Sequence, residues 1–222
     1  VVDPGGFLAS LDEDARAELE AAGRRRRYRP GSALFRQGER GASVVVLLEG
    51  RTKVLFDPGD GNEVLLSVRG PGELLGELAA LDGEATERLA TVRAVDSVTA
   101  LVVPATQLQV FAERHPHTAM AVLRTLADRI RAADRRRAEV ASVDAARRLA
   151  RLLLDLDEEH GDGLPLSQAE LGSLIGASRE SVARALGTLR AAGLVTSGRK
   201  TVTIVHRAAL EAFASYGARR RS

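Results

Sequence analysis

LSQAELGSLIGASRESVARALGTLRAAGL, residues 166–194, decides how this chain is read. It divides into two short helices around a tight turn. Ser167 is placed to cap the first, which runs to about Ile175. Gly176 interrupts the apolar periodicity and supplies the positive φ that a sharp turn requires. Ser178 caps the second helix, which runs to about Ala192, and Gly193 follows as the residue just past its end. On that second helix Val182, Leu186 and Leu189 recur at i, i+4 and i+7 and make one buried stripe. Arg179, Glu180 and Arg184 lie off the stripe, on or near the first turn. A narrow helix with free polar residues at its N-terminal end fits the DNA major groove, where base edges are read. The same pattern also fits a helical hairpin in a core, with the charges as its solvated face. The flanking sequence separates the two readings.

The chain has 222 residues, room for one large domain or two smaller ones. Apolar residues make up 45% and charged residues 28%, the balance of a globular protein. No apolar run is long enough to span a bilayer, so no membrane partner is expected. The opening VVDPGGFLASLDEDA has no basic segment followed by an apolar core, so no secretory signal is expected and the location reads as cytoplasmic. There are no cysteines, which excludes disulfides, thiolate-held iron–sulfur clusters and cysteine-ligated zinc. Net charge is only +2, yet residues 144–222 carry 12 basic and 9 acidic side chains, against 20 and 21 in residues 1–143. Phosphate binding needs a local basic face rather than a high total.

The segment from Phe7 to Gly23 reads as one amphipathic lead-in helix, and Arg24–Arg27 after it as a solvated turn. From Tyr28 to Val103 short β-rich runs, Ser43–Leu48, Thr52–Phe56, Val64–Val68 and Val98–Val103, are separated by Gly- and Pro-containing turns. This spacing predicts an all-β sandwich or barrel. Asp60-Gly61 marks a hairpin between the second and third of these runs. Asp82-Gly83 is another turn. A short helix is expected over Ala105–Glu113, broken at His115-Pro116, and a long one over His117 to about Ala141. The long helix carries Met120, Leu123, Leu126, Ala127, Ile130 and Ala133 at spacings of three and four. Such a narrow seam predicts pairing with a second copy, the other possibility being a helix laid on its own domain. Val143-Asp144 reads as a hinge before a helix over Ala145–Glu159, and His160–Gly163 as a loop. After the helix-turn-helix, LVTSGRKTVTIV predicts a two-stranded hairpin turning at Ser197–Lys200. A last helix covers Ala208–Ser215, and the tail at Arg219–Arg221 is expected to fray.

A β-roll, a long pairing helix and a winged helix-turn-helix, in this order, resemble the cyclic-AMP receptor protein/FNR (CRP/FNR) family of bacterial transcription regulators. Three stretches carry the resemblance: YRPGSALFRQGERGASVVVLLEGRTKV, LLGELAALDGEATERLATVRA and the helix-turn-helix, whose SRESVAR is similar to the family's S-R-E-T-V-x-R core. The resemblance implies an α+β chain. Its parts would be a cyclic-nucleotide-binding-like roll of the jelly-roll, double-stranded β-helix type over 7–116, a dimerisation helix over 117–143 and a DNA-binding domain over 144–215. The helix-turn-helix itself would lie at about 167–190. It further implies a homodimer on double-stranded DNA, with RNA polymerase as a partner. Arg179, Glu180 and Arg184 would touch bases in palindromic TGTGA-like half-sites. Arginine suits guanine O6 and N7, and glutamate accepts from the cytosine amine. Ser167, Ser178, Lys200 and Thr201 would touch phosphates, which position the protein without specifying sequence.

For the ligand, the family's phosphate-binding cassette places Gly76, Glu77, Leu78, Ala79, Arg88 and Leu89 at the pocket, with Ala133 and Asp134 from the long helix. In the family this Glu holds a ribose hydroxyl and this Arg the cyclic phosphate. Leu89 departs from the pattern. Cyclic-AMP binders carry Ser or Thr there, and Ala133-Asp134 replaces a Thr-Ser pair. One lost charge-assisted hydrogen bond costs about 1.5–3 kcal/mol. Three readings of the pocket stay open: weak cyclic-AMP binding, another small-molecule effector, or a scaffold without ligand in which Glu77 and Arg88 form a buried ion pair. Haem is not expected, because none of His115, His117, His160 and His206 lies in the roll. No metal site is expected either. An enzyme finds no support, since no nucleophile–base constellation, phosphate loop or paired histidines appear. The remaining alternatives are a regulator that ignores ligand and a ligand-sensing module whose helix-turn-helix contacts protein.

Overall fold

The computed structural model describes residues 6–81, 86–160 and 164–215. Two compact units, Val1–Ile130 and Arg131–Ser222, divide within a single long helix.

In the first unit two four-stranded antiparallel sheets face each other. One has β1 (Arg24–Tyr28), β8 (Val98–Pro104), β3 (Ser43–Glu49) and β6 (Leu74–Leu75) in that order. The other has β2 (Ala33–Phe35), β7 (Thr91–Ala94), β4 (Thr52–Phe56) and β5 (Val64–Arg69). The apolar run of β3 is continuous because both of its faces are covered. Val44 and Val46 join one core with Leu101, Phe7, Leu19, Leu108, Phe111 and Val122. Val45 and Leu47 join a second core with Leu75, Val92, Val98 and Ala100. A strand buried on both faces loses the alternation that marks a half-exposed one. The β4–β5 hairpin turns where expected, Asp57 accepting from the Gly59 N–H at 2.8 Å and Asp60 from the Asn62 N–H at 2.9 Å.

Two expectations are corrected here. The lead-in is not one helix but a 3-10 turn (Phe7–Ser10) followed by α1 (Glu13–Ala22). The side chain of Asp12 accepts from the Ala15 N–H at 2.8 Å and starts α1 afresh. Arg24–Arg27 is no turn. It forms strand β1, paired residue for residue with β8, and all four arginines are exposed. An outer strand can be this polar because pairing through its backbone does not require burying its side chains. The helix break expected at His115-Pro116 is present, and Pro116 lies on its far side. After α2 (Glu77–Leu81) and α3 (Ala105–Arg114), this proline is the first residue of α4 (Pro116–Ser142), where its missing N–H has no intrahelical partner to lose.

The long helix α4 presents two apolar faces. Thr118, Ala121 and Val122 are buried, and Leu126 is partly buried against the same core. Met120, Leu123 and Ile130 are 49%, 56% and 63% exposed. Leu126 therefore leaves the expected pairing seam, because it packs on its own unit. Among the described residues no helix is long and apolar enough to cross a membrane.

In the second unit α5 (Ala145–His160), started by Asp144 accepting from the Arg147 N–H, buries Leu149, Leu152 and Leu153 against the helices that follow. Arg148 fastens this unit. Its Nε donates to the Ile175 carbonyl at 2.9 Å and its Nη1 to the Val143 carbonyl, so one guanidinium satisfies orphan carbonyls at two chain turns. The helix α8 (Arg207–Ser215) closes the unit. The expected turn at Asp82-Gly83, most of the loop before Leu164 and the tail at Arg219–Arg221 lie outside the described residues.

Candidate nucleic-acid interface and ligand cavity

The helix-turn-helix is built by local chemistry. Its first helix, α6 (Gln168–Ile175), begins with a reciprocal capping box. The Ser167 hydroxyl accepts from the Glu170 N–H at 3.2 Å, and the Glu170 carboxylate accepts from the Ser167 N–H at 2.7 Å. Gly176 then turns the chain with φ 63 and ψ 49. A Cβ there would also stand 2.6 Å from the Val140 Cγ2. Gly176→Ala is expected to cost about 1–2 kcal/mol from the left-handed backbone, since alanine gains nothing there to offset it. The midpoint of the second unit's thermal transition measures this, and an unchanged midpoint would refute the strain.

The second helix, α7 (Arg179–Ala191), is capped by Ser178, whose hydroxyl accepts from the Ser181 N–H at 3.2 Å. Val182, Ala185, Leu186 and Leu189 are buried, while Arg179, Glu180 and Arg184 are exposed. The Glu180 carboxyl is held below the usual carboxylate range by its own backbone N–H, by the Ser178 hydroxyl and by the charges of Arg179 and Arg184. It is thus a persistent acceptor. The Arg184 guanidinium rests on the Ser181 hydroxyl at 3.0 Å. The wing follows as β9 (Val195–Gly198) and β10 (Thr201–Ile204), with Arg199 and Lys200 at its tip and Lys200 at φ 59. Ser167, Arg179, Lys200 and Thr201 line one cleft of about 390 Å³. Glu180, Arg184 and Ser178 do not line it. Four of the seven residues expected at DNA therefore share one concave surface, and the other three sit on or next to the start of α7.

In the roll a cavity of about 230 Å³ is lined by Gly76, Glu77, Leu78, Ala79, Arg88 and Leu89, six of the eight residues expected at a ligand. Ala133 and Asp134 are not among its lining. They belong to the second unit and are exposed on α4. The Glu77–Arg88 ion pair that the ligand-free reading invoked is not among the ion pairs of the described residues. Glu77, 4% exposed, instead accepts from Arg129 of α4, whose Nη2 donates to the Leu74 carbonyl at 2.7 Å. Arg88, equally buried, donates to the Gly76 carbonyl at 2.9 Å and to the Ser43 carbonyl and hydroxyl, and it stacks 4.2 Å from the Phe35 ring centroid. Gly76 has φ 78, and a Cβ on it would stand 2.2 Å from Arg88 Nη1, so only glycine admits this seat. Arg129 escaped the sequence reading. It sits 52 residues from Glu77 among several arginines of α4, and no local pattern singles it out.

Glu77→Gln keeps the shape of this pair and removes its charge. The roll is expected to lose about 1.5–3 kcal/mol, the scale of one charged hydrogen bond. A lowered urea midpoint for the roll's transition would register it. An unmoved midpoint would show that the pair contributes nothing.

The cyclic nucleotide-binding domain family matches residues 25–115, and the Crp-like helix-turn-helix domain family matches residues 147–213. The chain is 31% identical over 183 residues to the CRP-like cAMP-activated global transcriptional regulator of Mycobacterium tuberculosis, covering 78% of this chain and 80% of that one. It is 29% identical over 189 residues to the cAMP-activated global transcriptional regulator Vfr of Pseudomonas aeruginosa, with 81% and 88% covered. Among solved structures, the c-di-GMP responsive global regulator CLP of Xanthomonas campestris is similar with a TM-score of 0.74 at 26% identity, covering 88% of this chain and 100% of that one. The catabolite activator protein of Thermus thermophilus gives 0.55 at 31% identity, with 94% and 97% covered. The roll, the long helix and the DNA reader stand here in the order the motifs implied. The chain belongs to the CRP/FNR family of DNA-binding transcription regulators.

Proposed function

We propose that two copies of this chain pair through the exposed seam of α4 and read a palindromic, TGTGA-like site in bacterial DNA. The observation that carries the reading is the surface of the second unit. Arg179, Glu180 and Arg184 stand exposed on the first turns of α7, beside a cleft that gathers Ser167, Lys200 and Thr201. The division of labour follows from the chemistry. Guanidinium and carboxylate groups can discriminate base edges, while hydroxyls and the wing's lysine grip phosphates. Ser167 and Ser178 each accept a backbone N–H as caps; Ser167 keeps a hydroxyl hydrogen for a phosphate oxygen, whereas the Ser178 hydroxyl donates to the Ser181 hydroxyl at 3.2 Å and would have to turn to reach one. A two-fold dimer places its half-sites one helical turn apart, roughly 34 Å. RNA polymerase, in the cytoplasm, is the natural partner of such a regulator.

The roll is the input. Relatives on the same fold are named for cyclic AMP and for c-di-GMP, so the effector varies while the scaffold persists. A ligand that prefers one arrangement of the dimer shifts the population toward it by its difference in affinity for the two states. The test is a gel shift on a TGTGA-N6-TCACA duplex beside a scrambled duplex of equal length. Preferential retention of the palindrome supports the reading, and equal retention of both at low salt would reject it.

A further inference from the structure

The cavity of the roll has an unusual rim. Leu66, Leu78 and Leu89 are 45%, 45% and 62% exposed, and all three line it together with Phe35 and Val54. A single exposed leucine needs no explanation, whereas three on one cavity of about 230 Å³ form an apolar patch. The charged lining is Arg69, Arg88 and Arg129 against Glu77 alone, an excess of positive charge. Arg69 is paired with Glu73 and Arg129 with Glu77. Arg88 rests on carbonyls and a hydroxyl, with no carboxylate bonded to it among the described residues. Arg88 and Arg129 each keep a buried Nε–H without an acceptor. Burial pushes both guanidinium groups down from their ordinary range, so an anion brought to them would be stabilised.

We propose that this cavity takes a medium-chain fatty carboxylate, its alkyl chain against Leu66, Leu78 and Leu89 and its head recognised by Arg88 and Arg129. The proposal rests on the reading of the roll as the effector unit. A cyclic nucleotide suits this rim poorly. Leucine at position 89 offers no donor to a phosphate, and ribose hydroxyls laid against leucines lose their hydration without replacement.

Calorimetry of the full chain with octanoate, decanoate, decanol and cyclic AMP tests it. Decanoate should bind about fifteenfold more tightly than octanoate, two methylenes at about 0.8 kcal/mol each. Decanol, which keeps the chain and loses the charge, should bind about ten- to a hundred-fold more weakly than decanoate. Leu89→Ser should weaken decanoate about tenfold or more. Equal affinity for decanoate and decanol, or indifference to Leu89→Ser, would overturn the site. Cyclic AMP binding more tightly than decanoate would overturn the ligand class and leave the roll an effector unit. Silence of all four ligands, together with a palindrome gel shift that none of them alters, would overturn both.

Discussion

Arg179→Ala is expected to cut affinity for the palindromic duplex by about thirty- to twenty-thousand-fold while leaving the fold intact. A bidentate arginine–guanine contact carries about 1–3 kcal/mol of discrimination, and a symmetric dimer loses it twice, about 2–6 kcal/mol in all. The fold should not suffer, because Arg179 is exposed at the first position of α7 and alanine is the better helix former. The cap on Ser178 is untouched. Binding to scrambled DNA should fall far less, since there the residue contributes only one charge per copy. The salt dependence should become shallower by about one counterion per copy. The decisive quantity is therefore the ratio of the two affinities, measured at one stated salt concentration. A variant that keeps the wild-type ratio would remove Arg179 from the base-reading set, and a loss shared equally by both duplexes would reassign it to phosphate.

Leu123→Glu is expected to leave a 23.6 kDa monomer, where the native chain is expected to sediment as a pair. Met120, Leu123, Ala127 and Ile130 follow one another at three, four and three residues, the seam of a two-stranded coil, and three of the four are half-exposed or more. The opposite face of α4 is already occupied by the core of the first unit. Burying a leucine on each copy contributes about 1.5–3 kcal/mol, so the pair loses about 3–6 kcal/mol before the cost of two facing carboxylates. The dissociation constant should rise at least a hundredfold. Because Leu123 does not support its own unit's core, the roll's unfolding midpoint should hold. Sedimentation equilibrium reads the outcome directly. A variant that pairs as well as the native chain would place the interface elsewhere, and palindrome binding would then be unaffected too.

The parts legible in sequence are those whose causes are local. The helix-turn-helix announces itself because capping serines, a left-handed glycine and a three-to-four stripe all fall within one stretch of thirty or so residues. The ends of α6 and α7 were therefore readable to within a residue. The strand β1 was not. Four consecutive arginines have no apolar alternation, and what makes them a strand is β8, more than seventy residues later. The two-residue strand β6 is invisible for the same reason, its identity resting on Val45 and Val46 of β3. At the ligand cavity the cassette residues were legible by motif, but their partners were not. Glu77 selects Arg129 rather than Arg88 because α4 returns across the roll at that height. The side on which Leu126 falls is likewise set by packing that a seam pattern cannot resolve.

The arginine strand has one more consequence. β1 is the outermost strand of its sheet, and an outermost strand is an open socket for any other strand of matching length. Were two rolls to join there, eight guanidinium groups would crowd along one seam. Like charges about 5 Å apart repel by nearly 1 kcal/mol each even in water, several times over along such a seam. In the proposed dimer, the rolls would thereby be denied the shortest route to a fibre. In a protein proposed to gather on DNA at high local concentration, these four exposed arginines would act as a safeguard against aggregation.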